Sequence, residues 1–426
     1  MAQIRPFSGL RYQPSAGSLD DLTAPPYDVI SSEQRIELAA RSPHNVVHLT
    51  LPEALEGDRS KFVKYARSAA TLTQWRKEGV LAPEAHPAIY RYTQGFRLPH
   101  SPDHLSRTSF IALIKVEPYA NGVVLPHEQT FPKHKEDRLR ILEATRSHLE
   151  CIFGLYEDPS GEILEQLKRA PAHQGVSTTS DDGVHQHLEP VTDVESIRML
   201  STMLFNKKVW IADGHHRYET ALAFREALGP KDEPVAEDFM MMALSSLSDP
   251  GLVLLPTHRI VSEMPVTGQA LLDRLSPHFE LVPTQNVHLL AGVEAAAKEG
   301  KQAFGLALPD FSGYVLVAKA PKELQAMIDG PGSPALKALD VSVLHGVILE
   351  KLVGLPGLEA ISYTRDETDA AYAPDKGAGA AFLMVPPTVD DMRTISLAAE
   401  KMPQKSTYYF PKILSGLVLW SLNDFI

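Results

Sequence analysis

The run Lys208-Val209-Trp210-Ile211-Ala212-Asp213-Gly214-His215-His216-Arg217-Tyr218-Glu219 is the strongest local signal of chemistry in the chain, with an acid, two histidines and an arginine set around one glycine. An apolar strand pattern ends in Asp-Gly, and a helical pattern opens at once. A helix N-terminus leaves backbone N–H groups unpaired and carries a partial positive charge, so phosphate binds there readily. Gly214 lets a ligand approach the backbone. Arg217 brings a forked cation suited to phosphate oxygens. His215 and His216 can donate to phosphate or move protons near neutral pH. Asp213 can position a nucleophile or hold a divalent ion. The plainer alternative makes Asp213 an N-cap and lets the histidines pack. A shared zinc is the weaker chemistry, because adjacent histidines point to different faces of a helix.

A second segment, Leu125 to Arg138, follows a strand pattern and leads into a helix. His127 and Glu128 form a candidate acid–base pair. Lys133, Lys135 and Arg138, with Arg146 two turns on, offer cationic phosphate contacts. The alternative is a solvated helix start with Glu136 and Asp137 satisfying the dipole. In Ala24-Pro25-Pro26-Tyr27-Asp28-Val29-Ile30 two prolines stiffen a loop that fixes Tyr27 and Asp28 as a substrate wall or a plain rigid turn. In Met402 to Lys412 the residues Lys405, Ser406, Thr407 and Lys412 suit an anion or a substrate carboxylate; a β-rich closure with surface lysines is the alternative. Thr257-His258-Arg259 is a weaker candidate. Cys151, the one cysteine, lies in an apolar run and reads as a small buried hydrophobe.

The elements that must position these groups follow from periodicity. Helices are expected from about Glu33 to Ala40, Asp58 to Glu78, Asp137 to Leu149, Gly161 to Arg169, Val194 to Leu204 and His215 to Leu228. Strands are expected at Asn45–Leu51, Ala88–Phe96, Phe110–Val116, Cys151–Tyr156, Lys208–Ala212 and Met240–Ser246. Beyond a weak boundary near 261–268, further strands and helices repeat an α/β pattern. The expected division is 1–262 and 263–426.

With 426 residues the chain is too long for one ordinary core. A net charge of −12 gives no electrostatic reason to bind a nucleic-acid backbone. No stretch reaches the ~18 apolar residues that span a bilayer, and the start lacks a secretory pattern. A lone cysteine excludes an internal disulfide and fits a reducing compartment. The expectation is a soluble cytoplasmic protein without membrane or nucleic-acid partners; the sequence leaves a homodimer open.

Several segments together resemble a bacterial and archaeal family catalogued as domain of unknown function 1015. They are Ile4-Arg5-Pro6-Phe7, Leu10-Arg11-Tyr12, Ala24 to Ile30, Leu125-Pro126-His127-Glu128, Asp137-Arg138-Leu139, Ile152 to Tyr156, Ala212 to Tyr218, Leu255 to Arg259 and Met402 to Lys412. Members usually carry arginine where this chain has Gln129. The turn Gly214-His215-His216-Arg217 is similar to the Gly-x-x-Arg phosphate motif of the ParB/sulfiredoxin superfamily. Asp213 to Arg217 is similar to the Asp-Gly-His-x-Arg form of its free-serine kinase.

The resemblance implies an α/β (α+β) fold: a ParB/sulfiredoxin-like mixed-sheet core elaborated by N-terminal strands and helices, plus a C-terminal α/β domain. It implies a nucleotide-dependent phosphotransferase or phosphatase acting on a small metabolite, serine or phosphoserine first. ATP or ADP would be the nucleotide, with Mg²⁺ held largely by substrate oxygens and no firm protein ligand. Glu128 is the favoured base toward a serine hydroxyl, with His127 or His215 as alternatives. Gly214, His215, His216, Arg217, Lys133, Lys135 and Arg138 would bind phosphate. Tyr27, Asp28, Lys405 and Ser406 would wall the substrate. The alternative is a nucleotide-binding switch without metabolic turnover. A sulfiredoxin-type repair reaction is rejected, because it needs a cysteine at the phosphate turn.

Overall fold

The computed structural model describes residues 1–98, 103–130, 132–309, 311–355 and 357–425, apart from the side chains of 132–134 and 358. Contacts divide the chain into two compact units. The first holds Met1–Pro126, Thr130–Val253 and Pro411–Ile426; the second holds His127–Gln129 and Leu254–Phe410. This differs from a single cut at 262, because residues 411–426 return to the first unit through long-range pairing that local patterns do not carry.

The first unit is built on a nine-stranded mixed sheet. Its strands are β1 (Ile4–Arg5), β2 (Ile89–Arg97), β3 (His104–Lys115), β4 (Val124–Leu125), β5 (Ile152–Tyr156), β6 (Val176–Thr179), β7 (His185–Val191), β8 (Val209–Asp213) and β9 (Phe239–Ser246). They lie in the order β4-β8-β5-β9-β3-β2-β7-β6, with β1 on β3. The pairs β4–β8 and β5–β9 are parallel, and β5–β8, β9–β3, β3–β2, β2–β7 and β7–β6 are antiparallel.

Period-two alternation sends Phe110, Ala112 and Ile114 of β3 and Met240, Met242 and Leu244 of β9 into one core. That core also takes Ile163 and Leu167 of α4 (Glu162–Arg169) and Leu200 and Leu204 of α5 (Val194–Phe205). A second core joins Leu10, Leu22, Val46 and Leu419 to Leu72 and Trp75 of α2 (Val63–Lys77) and Ile141 of α3 (Pro132–Thr145). Ser31 caps α1 (Ser32–Arg41) with a complete capping box.

Three expectations need correction. The helix expected from Asp137 to Leu149 is α3, Pro132–Thr145; Arg146 turns left-handed at φ 49° and ends it, and Ser147–His148 pairs as a short strand with Trp420–Ser421. Asn45–Leu51 is not a strand: Val47–Thr50 forms one helical turn. The buried Asn45 side chain accepts from the Val47 N–H and donates to the Asp21 and Thr23 carbonyls, which fixes that turn. The helix expected from Asp58 begins at Val63; Asp58 instead accepts from the Leu55 N–H and pairs with Arg67.

The second unit carries a six-stranded antiparallel sheet of β10 (His258–Val261), β11 (Phe279–Gln285), β12 (Ala303–Ala307), β13 (Ser312–Ala318), β14 (Ile361–Thr364) and β15 (Ala380–Leu383). The order is β11-β13-β12-β15-β10-β14. The helix Leu289–Lys298 packs Leu289, Val293 and Ala296 against Ala303, Ala307 and Val315. The architecture of the chain is mixed α/β. Among the described residues no helix is long and apolar enough to cross a membrane.

Candidate functional site

In the first unit β8 runs into α6 (His215–Ala227) through Gly214, whose backbone is left-handed at φ 92°. A Cβ there would sit 2.7 Å from Ile152 Cγ2 and 3.1 Å from Arg217 Nε, so only glycine fits. Gly214 takes the N-cap position without a side-chain cap. Asp213 is therefore not the N-cap. Its Oδ1 meets Lys412 Nζ at 2.6 Å and its Oδ2 meets Arg217 Nη2 at 3.2 Å. Burial opposes the charged carboxylate, but Lys412 and Arg217 more than offset it, and the carboxyl is held well below the usual carboxylate range.

The first turn of α6 is anchored by Tyr218. Its hydroxyl donates to the Glu117 carbonyl at 2.7 Å, and its ring stacks on Tyr119 at 5.4 Å. His215 is buried and His216 half-buried. Arg217 Nη1 donates to the Cys151 carbonyl at 2.6 Å. Burial works against the Arg217 charge; Glu150, Asp213 and Asp28 outweigh it and raise its pKa.

Behind this turn lies a compact charged cluster. The Tyr27 ring has Arg138 at 3.9 Å and Arg217 at 5.7 Å. The Tyr27 N–H donates to Glu150 Oε1 at 3.0 Å, and Ser415 Oγ donates to the same oxygen at 3.0 Å. Arg138 lies 3.7 Å from Glu150 Oε2, donates to the Thr50 carbonyl at 2.9 Å and pairs with Asp137. Thr50, Arg138, Ser147, Glu150, Arg217 and Thr220 line a cavity of about 50 Å³, room for water rather than a metabolite.

The sequence candidates thus fall into distinct places. Asp213, Gly214, His215, His216 and Arg217 form the turn, and Tyr27 and Arg138 belong to the cluster behind it. Asp28 is exposed. Lys135 pairs with Glu219 at 3.0 Å. The Lys133 side chain lies outside the described residues. Glu150 and Lys412 carry as much of the geometry as any predicted residue. Glu150 gave no motif. Lys412 was singled out with Lys405, but its partner lies 199 positions away in sequence.

In the second unit His127 and Glu128 do meet the segment that contains Lys405 and Ser406. Glu128 bridges Met402 in parallel, and the Met402 N–H donates to the His127 carbonyl at 2.7 Å. His127 Nε2 lies 2.7 Å from Thr407 Oγ1, and the Lys405 N–H donates to Glu128 Oε1 at 3.4 Å. Arg259 Nη2 donates to the Lys405 carbonyl at 3.0 Å. Lys405 is exposed and left-handed at φ 55°, while Ser406 is buried and donates to the Pro403 carbonyl.

Among the described residues no group of three or more His, Cys, Asp or Glu is placed to hold a metal ion. Asp213, the one acid of the turn, has both oxygens on cations. These residues do not make a Mg²⁺ site of their own. Cys151 is buried, and burial pushes its thiol up to about 12.

Among solved structures, the chain is similar to a mutant of free serine kinase in complex with ADP. The identity is 13%, the TM-score 0.38, and the match covers 77% of this chain and 99% of that one. Free serine kinase in complex with AMP gives 14% identity and a TM-score of 0.37, covering 74% and 93%. A conserved hypothetical protein from Pyrococcus furiosus gives 15% and 0.36, covering 74% and 97%. No curated protein matches the chain in sequence. The model of the family described as "Protein of unknown function (DUF1015)" matches residues 4–342, and the chain belongs to that family.

Proposed function

We propose that the first unit binds the phosphates of a nucleotide at the 213–217 turn. The chain would then be a phosphotransferase or phosphatase acting on a small hydroxyl-bearing metabolite, serine or phosphoserine first. One observation carries the reading: the left-handed Gly214 opens α6 with no Cβ in the way, and the mostly buried Arg217 stands in its first turn. The helix N-terminus supplies N–H donors and partial positive charge, and Arg217 supplies a forked cation. Phosphoryl transfer needs mainly such positioning and charge neutralisation.

The electrostatics support particular roles within the unit. A carboxylate held as low as Asp213 is a poor proton acceptor near neutral pH; it orients cations instead. The imidazoles of His215 and His216 are the groups of the turn suited to moving a hydroxyl proton. Mg²⁺, where present, arrives on the nucleotide oxygens as part of the substrate.

The test is a phosphate-release and exchange assay. Phosphoserine is supplied with Mg²⁺, with and without ADP, and serine is supplied separately with ATP or ADP. Turnover that is lost in Arg217→Ala supports the reading, and its ADP dependence separates kinase from phosphatase. Glu128→Ala in the same assay tests the base role proposed for that residue, which is overturned if turnover is unchanged. Tight nucleotide binding without turnover in any combination would replace the enzyme with a nucleotide-driven switch.

A further inference from the structure

The sheet of the first unit buries side chains that an apolar core would not choose. Tyr92, Gln94, Arg107 and Gln186 are each at most 1% exposed. Isolated in a core, such groups are costly; in a connected network they specify one geometry. Here they are connected. Tyr92 donates to Gln186 Oε1, Gln94 Nε2 donates to the same oxygen at 3.1 Å, and Arg107 donates to Gln94 Oε1. Burial lowers even the Arg107 guanidinium to about 10.

The network holds one short piece of chain. Arg107 Nη2 donates to the Pro411 carbonyl at 2.5 Å, and Gln94 Nε2 donates to the Lys412 carbonyl at 2.8 Å. The Leu414 N–H donates to the Tyr92 hydroxyl at 3.3 Å. On either side of Lys412 the backbone is thus fixed by buried polar groups. Its side chain, 12% exposed, reaches Asp213 at 2.6 Å.

A buried ion pair is a weak device for stability, since apolar residues of similar volume often do as well. This one places a second cation beside Arg217 on a single carboxylate. Two cations therefore meet one carboxylate at the start of α6, where the helix dipole adds positive potential, while Glu150 and Asp28 balance Arg217 from its other side. Lys412 lies beyond residues 4–342 matched by the family model, whereas Asp213, Gln94 and Arg107 lie within them.

We propose that Lys412 is a phosphoryl-binding residue of the 213–217 turn, delivered by the returning segment 411–426 and held ready by Asp213. The inference rests on the reading of that turn as a phosphate site. An arriving phosphoryl oxygen shares the ammonium with Asp213 and meets Arg217 from the other side.

ADP binding measured by titration calorimetry tests it. Lys412→Met is expected to weaken ADP at least ~10-fold, and Lys412→Arg to restore most of the loss. Asp213→Asn removes the negative charge that both cations meet and is expected to tighten ADP several-fold, an effect that damaged folding cannot imitate. Should Lys412→Met fail to fold, Asp213→Asn decides alone. If Arg217→Ala weakens ADP while Lys412→Met and Asp213→Asn leave affinity unchanged, Lys412 is structural and the proposal is overturned. If Arg217→Ala itself leaves ADP affinity unchanged, the phosphate reading of the turn falls first.

Discussion

The Arg217 guanidinium spans two elements, donating to the Cys151 carbonyl oxygen at 2.6 Å with one arm and meeting Asp213 at 3.2 Å with the other. It is a brace as well as a candidate ligand-binding group. Arg217→Ala is therefore expected to cost stability, on the order of 3–5 kcal/mol for an opened buried pair, in addition to nucleotide affinity. Arg217→Lys keeps the charge and loses the fork, and should fall between. Urea unfolding and ADP titration on the same samples separate the two effects.

Gly214→Ala meets two obstacles at once. The left-handed backbone is strained for any other residue, and the new Cβ would lie 2.7 Å from Ile152 Cγ2. A loss of about 1–3 kcal/mol is expected. Equal unfolding midpoints for Gly214→Ala and the unaltered protein would show that the turn relaxes freely.

Acid should loosen the first unit through His148. Its ring stacks on Trp420 at 5.5 Å, and burial lowers its pKa to about 4. The unfolded chain, with an ordinary value near 6.5, binds the proton first. Stability is then complete above about pH 6.5 and declines as pH falls toward 4, by about 3 kcal/mol at most. His148→Gln should flatten that part of the pH–stability curve, read by chemical denaturation between pH 4 and 7.

Cys151 is buried, and its thiol is pushed up to about 12. Reaction with a thiol-specific reagent at pH 8 should be negligible in the folded protein and complete in denaturant. Fast labelling under native conditions would show that β5 opens readily next to Arg217.

What the sequence revealed follows from distance along the chain. β8, Gly214 and α6 were legible because an apolar run, a glycine and a helical period are all local signals. So was Cys151 as a small buried residue. The turn at Val47–Thr50 was not, because Asn45 makes it by bonding to carbonyls of Asp21 and Thr23. Glu150 was invisible for the same reason: Tyr27, Arg138 and Ser415 converge on it from three separate segments. The strand order could not be read either, since β5 pairs with β8 and β9 and not with its sequence neighbours.

The second unit is written into the first, between Val253 and Pro411. On the ribosome this sets an order of events. The 213–217 turn emerges long before its lysine partner, which lies 199 positions downstream. Throughout that interval Asp213 has Arg217 within reach and no Lys412. Trp420, which pairs with His148, comes later still. A nascent chain can therefore lay down most of the mixed sheet while the charged turn stays open. Translation stalled between the two positions would leave Asp213 without its Lys412 contact, which forms only after residue 412 has emerged.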